Sequence, residues 1–309
     1  DDLAVRRAAV HPGRAGRRRQ EEGMVGRFDS DVENAWCPGC GNFGILNAVK
    51  KALEATGKQK HEVVLVSGIG QAAKLPHYVD VNVFNGLHGR ALPAAAAIKM
   101  ANPGLTVVVT SGDGDIYGEG GNHFLHNIRR NVDIALFVHD NQVYGLTKGQ
   151  PSPTSDAGWT GSLQRAGVIS GPFPPLAVAL ALGCGFVARG YAGDPEFTSG
   201  LMLQAIRFPG FALVDILQPC VTFNKKNTYQ WYGKVAYKLP PDHDVTDREK
   251  ALTLALEWEE RIPLGVLYRK EKPTFEQLHP QIPGPPLFER ETPEEAVRTL
   301  LRRRQAVPG

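Results

Sequence analysis

The sequence predicts an α/β fold, a parallel sheet with helices on both faces plus a C-terminal extension, and three observations lead there. Short β-branched runs recur, EVVLVSG at 62–68, TVVVTSGDG at 106–114 and DIALFVHDN at 133–141, each closing on Gly or Asn. Stretches with apolar residues at helical spacing separate them. The runs are apolar throughout instead of alternating, as strands covered on both faces must be.

The elements follow in order. After a CPGC turn, NFGILNAVKKALEAT at 42–56 sets Ile45, Val49 and Leu53 at helical spacing, and Gly57 supplies the stop. The strand at 62–68, the helix ALPAAAAIKMA at 91–101, the strand at 106–114, the helix GNHFLHNIRR and the strand at 133–141 come next. PPLAVALALGC at 174–184 reads as a helix, GFVARG as a strand, 195–207 as a helix and FALVDILQPC at 211–220 as the last strand. The α/β domain is therefore placed at 31–222. Residues 223–309, richer in Pro, aromatic and charged residues, form an extension expected to pack on the domain or on a partner subunit, with helices at 247–260 and near 293–304.

Composition narrows the function classes. A chain of 309 residues buries a core without metal or disulfide staples, and 42% hydrophobic with 22% charged residues is ordinary for a soluble protein. A net charge of +3 gives no nucleic-acid face, because the basic residues cluster only at the start, at Arg6, Arg7, Arg14, Arg17, Arg18 and Arg19. Residues 1–30 are accordingly expected to be a disordered basic arm. No apolar segment of a signal peptide follows it, and no run of about 18 apolar residues offers a membrane span. A cytoplasmic protein is expected, with residues 1–23 upstream of a natural start at Met24. Four cysteines, Cys37, Cys40, Cys184 and Cys220, are few for a disulfide scaffold, and the C-P-G-C spacing suggests metal or redox chemistry.

Ligands of open α/β sheets collect at the carboxyl ends of the strands, where the unusual residues of this chain fall. SGDGDIYGEGG follows TVVVT, and NQVYGLTKG follows DIALFVHD, so Asp113 and Asn141 stand at neighbouring strand ends. A diphosphate on Mg2+ needs hard oxygen ligands. Asp113 offers a charged oxygen, Asn141 a neutral one and Val143 its backbone carbonyl, while Gly112, Gly114, Gly118, Gly120 and Gly121 let backbone N–H groups approach phosphate. GDG alone is often only a turn, and the Asn141 partner is what distinguishes it here. A dinucleotide fingerprint fails on glycine spacing.

The wider wording, WCPGCGNFGIL, VSGIG, LHGRALP, GDGD with GGNH, RRNVDI, NQVYGLTKGQPSPTS, FVARG and DILQPC, resembles the β subunit of 2-oxoacid:ferredoxin oxidoreductases from about residue 30 to about 270. The resemblance implies a thiamine-diphosphate-binding fold and oxidative decarboxylation of a 2-oxoacid, 2-oxoglutarate before pyruvate, with coenzyme A and ferredoxin. It implies thiamine diphosphate and Mg2+ as cofactors, and adds Asp115, Tyr144, Gly145, Leu146 and Thr147 to the cofactor-binding set. Lys74 and Lys148 match positions that face the substrate, and His88 one that approaches the cofactor. It also implies an α subunit that brings the activating glutamate. His123, His126 and His139 read as packed, hydrogen-bonded histidines.

The resemblance further implies a [4Fe-4S] cluster on four cysteines. Cys37, Cys40 and Cys220 match three of them, and Gln71 stands where the fourth is expected, after SGIG. A cluster with a foreign fourth ligand, a three-iron cluster and no stable cluster all stay open. Cys184 reads as a packed small hydrophobe, and zinc on the CPGC pair lacks a second ligand pair. A non-redox thiamine decarboxylase and a non-catalytic binding or assembly subunit are the competing functions.

Overall fold

The structure is a computed structural model that describes residues 26–291 and 293–305. The expectations for the basic arm and for a start at Met24 lie, as far as residue 25, outside the described residues. Residues 26–30 are anchored where an arm was expected. Phe28 is fully buried, Asp29 bridges to Val79 and its carboxylate takes a 2.7 Å ion pair from Lys50. One aromatic side chain in the core is enough to order so short a segment.

The strands are β1 (Val63–Ser67), β2 (Asn82–Asn85), β3 (Thr106–Gly112), β4 (Ala135–Asp140), the hairpin pair β5 (Val143–Tyr144) and β6 (Gln150–Pro151), β7 (Phe186–Tyr191), β8 (Ala212–Leu217), β9 (Ala236–Lys238) and β10 (Ile262–Arg269). Eight of them form one sheet in the order β2-β1-β3-β4-β8-β7-β10-β9. Its first six strands pair in parallel, and β10 runs antiparallel to β7. The sheet thus takes its last two strands from beyond residue 222.

Both faces are covered, which explains the unbroken apolar runs. Val64, Val66, Val107, Val109, Leu136, Val138 and Leu213 point into one core with helices α2 (Ala91–Ala101), α3 (Gly121–Arg130), α4 (Pro175–Ala181) and α7 (Arg248–Ala255). The alternate residues Val63, Leu65, Val108, Phe137, Ala188, Val214 and Ile216 meet α1 (Asn42–Thr56) and α5 (Pro195–Arg207). Gly57 ends α1 with φ of 74°, and Asp194 caps α5 by accepting from the Phe197 N–H at 3.1 Å. The remaining helices are α6 (Tyr229–Val235), the short α8 (Phe275–Leu278) and α9 (Glu294–Gln305).

One local feature positions the site. Gly114–Glu119 forms a π-helical turn between β3 and α3, closed by the Gly120 N–H donating to the Asp115 carbonyl at 2.9 Å. Such widened turns recur at functional sites because they re-aim side chains at a strand end. The glycines make it possible, since a Cβ on Gly120 would lie 2.6 Å from the Asp115 carbonyl oxygen.

Candidate active site

Parallel pairing of β1, β3, β4 and β8 lines up four carboxyl ends, those leading into Gly68–Gln71, Asp113–Gly114, Asn141 and Gln218–Cys220. Two adjoining clefts open there. The first, about 470 Å³, is lined by Gly112, Asp113, Gly114, Asp115, Asn141, Val143, Tyr144, Gly145, Leu146, Thr147 and His88, while Gly118, Gly120 and Gly121, also expected near the phosphate, do not line it. The second, about 380 Å³, contains Cys37, Cys40 and Cys220 together with Asn42 and Gln218. Gln71, Asn141 and Gly145 line both. Lys74 and Lys148 line neither. Lys74 is partly buried on the turn Ala72–Tyr78, and Lys148 is exposed on the β5–β6 connection, with φ of 84°.

Asp113 is 2% exposed, and its Oδ2 accepts hydrogen bonds from the hydroxyls of Ser152 and, at 2.7 Å, Thr154. Burial pushes its carboxyl above the usual range, against the pull of those two hydroxyls. The Thr154 hydroxyl also lies 2.8 Å from Oδ1 of buried Asp140. A hydroxyl has one proton, so it cannot donate to two carboxylates. Asp140 is raised well above the usual range by burial and then by the charges of Asp215 and Asp113. Of the two carboxyls Asp140 is pushed up the more strongly, so the pair shares its proton with Asp140 as the favoured holder and Thr154 bridging it to Asp113.

Asp115 is equally buried, but its carboxylate serves the protein. Oδ1 accepts from the Ile69 N–H at 3.0 Å, the Gly89 N–H at 2.8 Å and His88 Nδ1 at 2.8 Å, and Oδ2 accepts from the Ser111 hydroxyl at 2.8 Å. This one side chain ties the SGIG loop, the HGR loop and the GDG turn together, and sets His88 as the tautomer with its proton on Nδ1. Asp115→Ala leaves two backbone N–H groups without an acceptor, at roughly 1–3 kcal/mol each. We expect a lower midpoint in chemical denaturation and proteolytic nicking near 69–70 and 86–90; an unchanged midpoint would refute the bracing role.

The three thiols of the second cleft all accept hydrogen bonds. Cys37 Sγ takes the Thr222 hydroxyl at 3.2 Å, Cys40 Sγ the Gln218 amide at 3.4 Å and Cys220 Sγ the Phe223 N–H at 3.4 Å. Burial pushes the Cys40 thiol up to about 11. Among the described residues no three His, Cys, Asp or Glu side chains converge as a ready site for one ion. A single ion needs its donors around one point, whereas a cubane takes thiolates at separate corners, so three thiols around a void fit the cluster better than they fit zinc.

Residues 45–216 match the family described as thiamine pyrophosphate enzyme, C-terminal TPP binding domain, and residues 220–283 match the family of the C-terminal part of the pyruvate ferredoxin oxidoreductase beta subunit. A 2-oxoacid:ferredoxin oxidoreductase subunit beta from Sulfolobus sp is 45% identical over 258 residues, 79% of this chain and 85% of that protein. This chain belongs to the β subunits of the 2-oxoacid:ferredoxin oxidoreductases. Another relative, 2-oxoglutarate oxidoreductase subunit KorB of Mycobacterium tuberculosis, is 40% identical over 197 residues, 64% of this chain and 53% of that protein. The solved 2-oxoglutarate:ferredoxin oxidoreductase from Magnetococcus marinus, with 2-oxoglutarate, coenzyme A and succinyl-CoA bound, matches with a TM-score of 0.80 at 36% identity over 93% of each chain.

Within this β subunit the residues fit a diphosphate carried on Mg2+. Asp113 takes part in no ion pair among the described residues, so its charge is uncompensated. Asp113, Asn141 and the Val143 carbonyl offer three oxygens and leave the rest of an octahedron to phosphate and water. A Cβ at Gly114 would lie 2.2 Å from the Tyr144 ring, so only glycine lets the backbone open into the cleft there.

Three further findings complete the β subunit's site. Ser152, Thr154 and Asp140 were not singled out in the sequence; the clustered hydroxyls of QPSPTS were the available signal. His139 is buried as expected, but His126 lies exposed and His123 half-exposed on α3, against the reading of both as packed. Cys184 is fully buried with its thiol donating to the Phe186 carbonyl at 3.3 Å, a packed hydrophobe as anticipated.

Proposed function

We propose that this β subunit binds thiamine diphosphate and Mg2+ in the first cleft and an iron–sulfur cluster in the second. With an α subunit it oxidatively decarboxylates a 2-oxoacid, foremost 2-oxoglutarate, yielding acyl-coenzyme A, CO2 and reduced ferredoxin. The observation that carries this reading is the shared wall: Gln71, Asn141 and Gly145 line both clefts, so electrons released in one have a short path to the other. Bound thiamine diphosphate supplies the nucleophilic carbon and the electron sink.

The chain's own residues bind and orient. Asp113, Asn141 and the Val143 carbonyl hold the cation, and the backbone at Gly112 and Gly114 meets the diphosphate. Asp115 holds His88 with Nε2 available to the cleft, while Tyr144, Gly145, Leu146 and Thr147 form the wall toward the substrate. Lys148 directly follows Thr147, and Lys74 stands two positions after Ala72, another cleft residue; neither makes an ion pair among the described residues. Both are assigned to the carboxylates of the oxoacid.

A partner is required by what the cleft lacks. Its lining carboxylates are Asp113, assigned to the cation, and Asp115, committed to four hydrogen bonds. Neither is free to activate the cofactor, so that carboxylate comes from the α subunit. No described helix is long and apolar enough to cross a membrane.

Reconstitution with the α subunit tests the proposal. Acyl-coenzyme A and reduced ferredoxin should form together from 2-oxoglutarate, and only with both subunits present. Free aldehyde without coenzyme A consumption would instead identify a non-redox decarboxylase, and cofactor binding without turnover a non-catalytic subunit.

A further inference from the structure

We propose that Gln71 completes the cysteine cleft as the oxygen ligand of an iron–sulfur cluster whose other three corners are held by Cys37, Cys40 and Cys220. This rests on reading the second cleft as the cluster site. Gln71 lines that cleft beside the three thiols, and its Oε1 is buried with no hydrogen-bond partner. Leaving a buried acceptor without a partner is costly, so it points to a group that this chain alone does not provide. The residue is held in place from behind, because the Trp36 indole N–H donates to its backbone carbonyl at 2.7 Å.

The rest of the lining separates the roles. Gln218 Oε1 is likewise buried without a partner, but its Nε2 already donates to Cys40 Sγ, which fixes that amide against a corner a thiol occupies. Asn42 is fully buried; its Oδ1 accepts from His139 at 2.7 Å, and its Nδ2 has no partner. An N–H donor suits a sulfide and cannot ligate iron, whereas a carbonyl oxygen does the reverse. Two amide oxygens in this cleft are thus unpartnered, and Gln71, whose amide is not held against a thiol, is the one placed to take the fourth corner.

The chemistry of that corner differs from the other three. A neutral amide oxygen binds iron more weakly than a thiolate does, and it leaves the assembly one negative charge short of the four-thiolate form. The iron held by Gln71 should therefore be the one lost on oxidation. In balance, [4Fe-4S]2+ gives [3Fe-4S]+, Fe2+ and one electron, which ferricyanide accepts.

The test uses the full chain with its α subunit, purified without oxygen and titrated with ferricyanide, reading iron content and the EPR spectrum. Wild type should release one of four irons per cluster and develop the signal of an oxidised three-iron cluster. Gln71→Cys should keep all four and stay silent over the same titration, while Gln71→Ala should lose its iron about 10-fold faster than wild type, the scale on which ligand environment tunes a site. Equal iron retention in wild type and Gln71→Cys would overturn the proposal, as would Gln71→Ala behaving like wild type. If wild type and Gln71→Cys both purify without iron, the reading of the cleft as a cluster site falls, and the ligand assignment with it.

Discussion

Asp113→Asn is expected to weaken cofactor binding by more than about 100-fold while making the empty protein no less stable. The substitution keeps an oxygen acceptor for the hydroxyls of Ser152 and Thr154 and deletes the charge. That charge is buried without a cation, an arrangement that costs several kcal/mol in the empty protein and is offset only when Mg2+ arrives. Its loss should lower affinity for thiamine diphosphate with Mg2+ by more than about 100-fold. Differential scanning calorimetry then gives two readings. The empty variant should melt at or above the wild-type temperature, and the stabilisation on adding cofactor, about 4 kcal/mol at a thousandfold excess over the wild-type Kd, should fall below about 1.4 kcal/mol at the same concentration. A variant that keeps the wild-type shift would remove Asp113 from the metal site.

The same balance explains which parts of the site were legible in the sequence. Buried parallel strands are apolar throughout, so their polar successors stand out, and Asp113 and Asn141 could be placed at neighbouring strand ends from the chain alone. The β10 segment IPLGVLYR was not placed as a strand, because Pro263 and Gly265 interrupt a short apolar run. The exposed edge strand β2, NVFN, carries no burial pattern to read. Inside the site, Asp115 looked like one more cofactor residue, yet its four partners come from loops far apart in sequence, and only the folded chain reveals that its carboxylate is occupied. Thr154 escaped for a related reason: a threonine in a Pro-Ser stretch reads as a turn until two buried carboxyls are seen on either side of it. The cysteines were recognised from wording, while the unpartnered oxygen of Gln71 is a property of packing alone.

His139 carries the second large effect, an acid-sensitive brace behind the cysteine cleft. It sits on β4 two residues before Asn141, fully buried, with Nδ1 2.7 Å from Asn42 Oδ1 and Nε2 2.9 Å from Thr110 Oγ1. The Asn42 oxygen can only accept, so the ring proton is on Nδ1, and Nε2 accepts from the threonine hydroxyl. Burial pushes the imidazole down to about 3 from an ordinary 6.5. The unfolded chain therefore binds a proton that the folded chain refuses between those values, so this contribution is intact above pH 6.5 and is lost as pH falls toward 3, at up to about 1.4 kcal/mol per pH unit. Asp215, raised to about 6 by burial, acts in the opposite direction over the same range, as do Asp113 and Asp140. The measurement is consequently a difference: unfolding free energy against pH for wild type and for His139→Gln. Whatever constant offset the variant carries, wild type should lose stability relative to it on acidification, by a few kcal/mol in all. Parallel curves would show that His139 takes up its proton in the folded chain as readily as in the unfolded one, and the neutral tautomer that orients Asn42 toward the cysteine cleft would have to be reassigned.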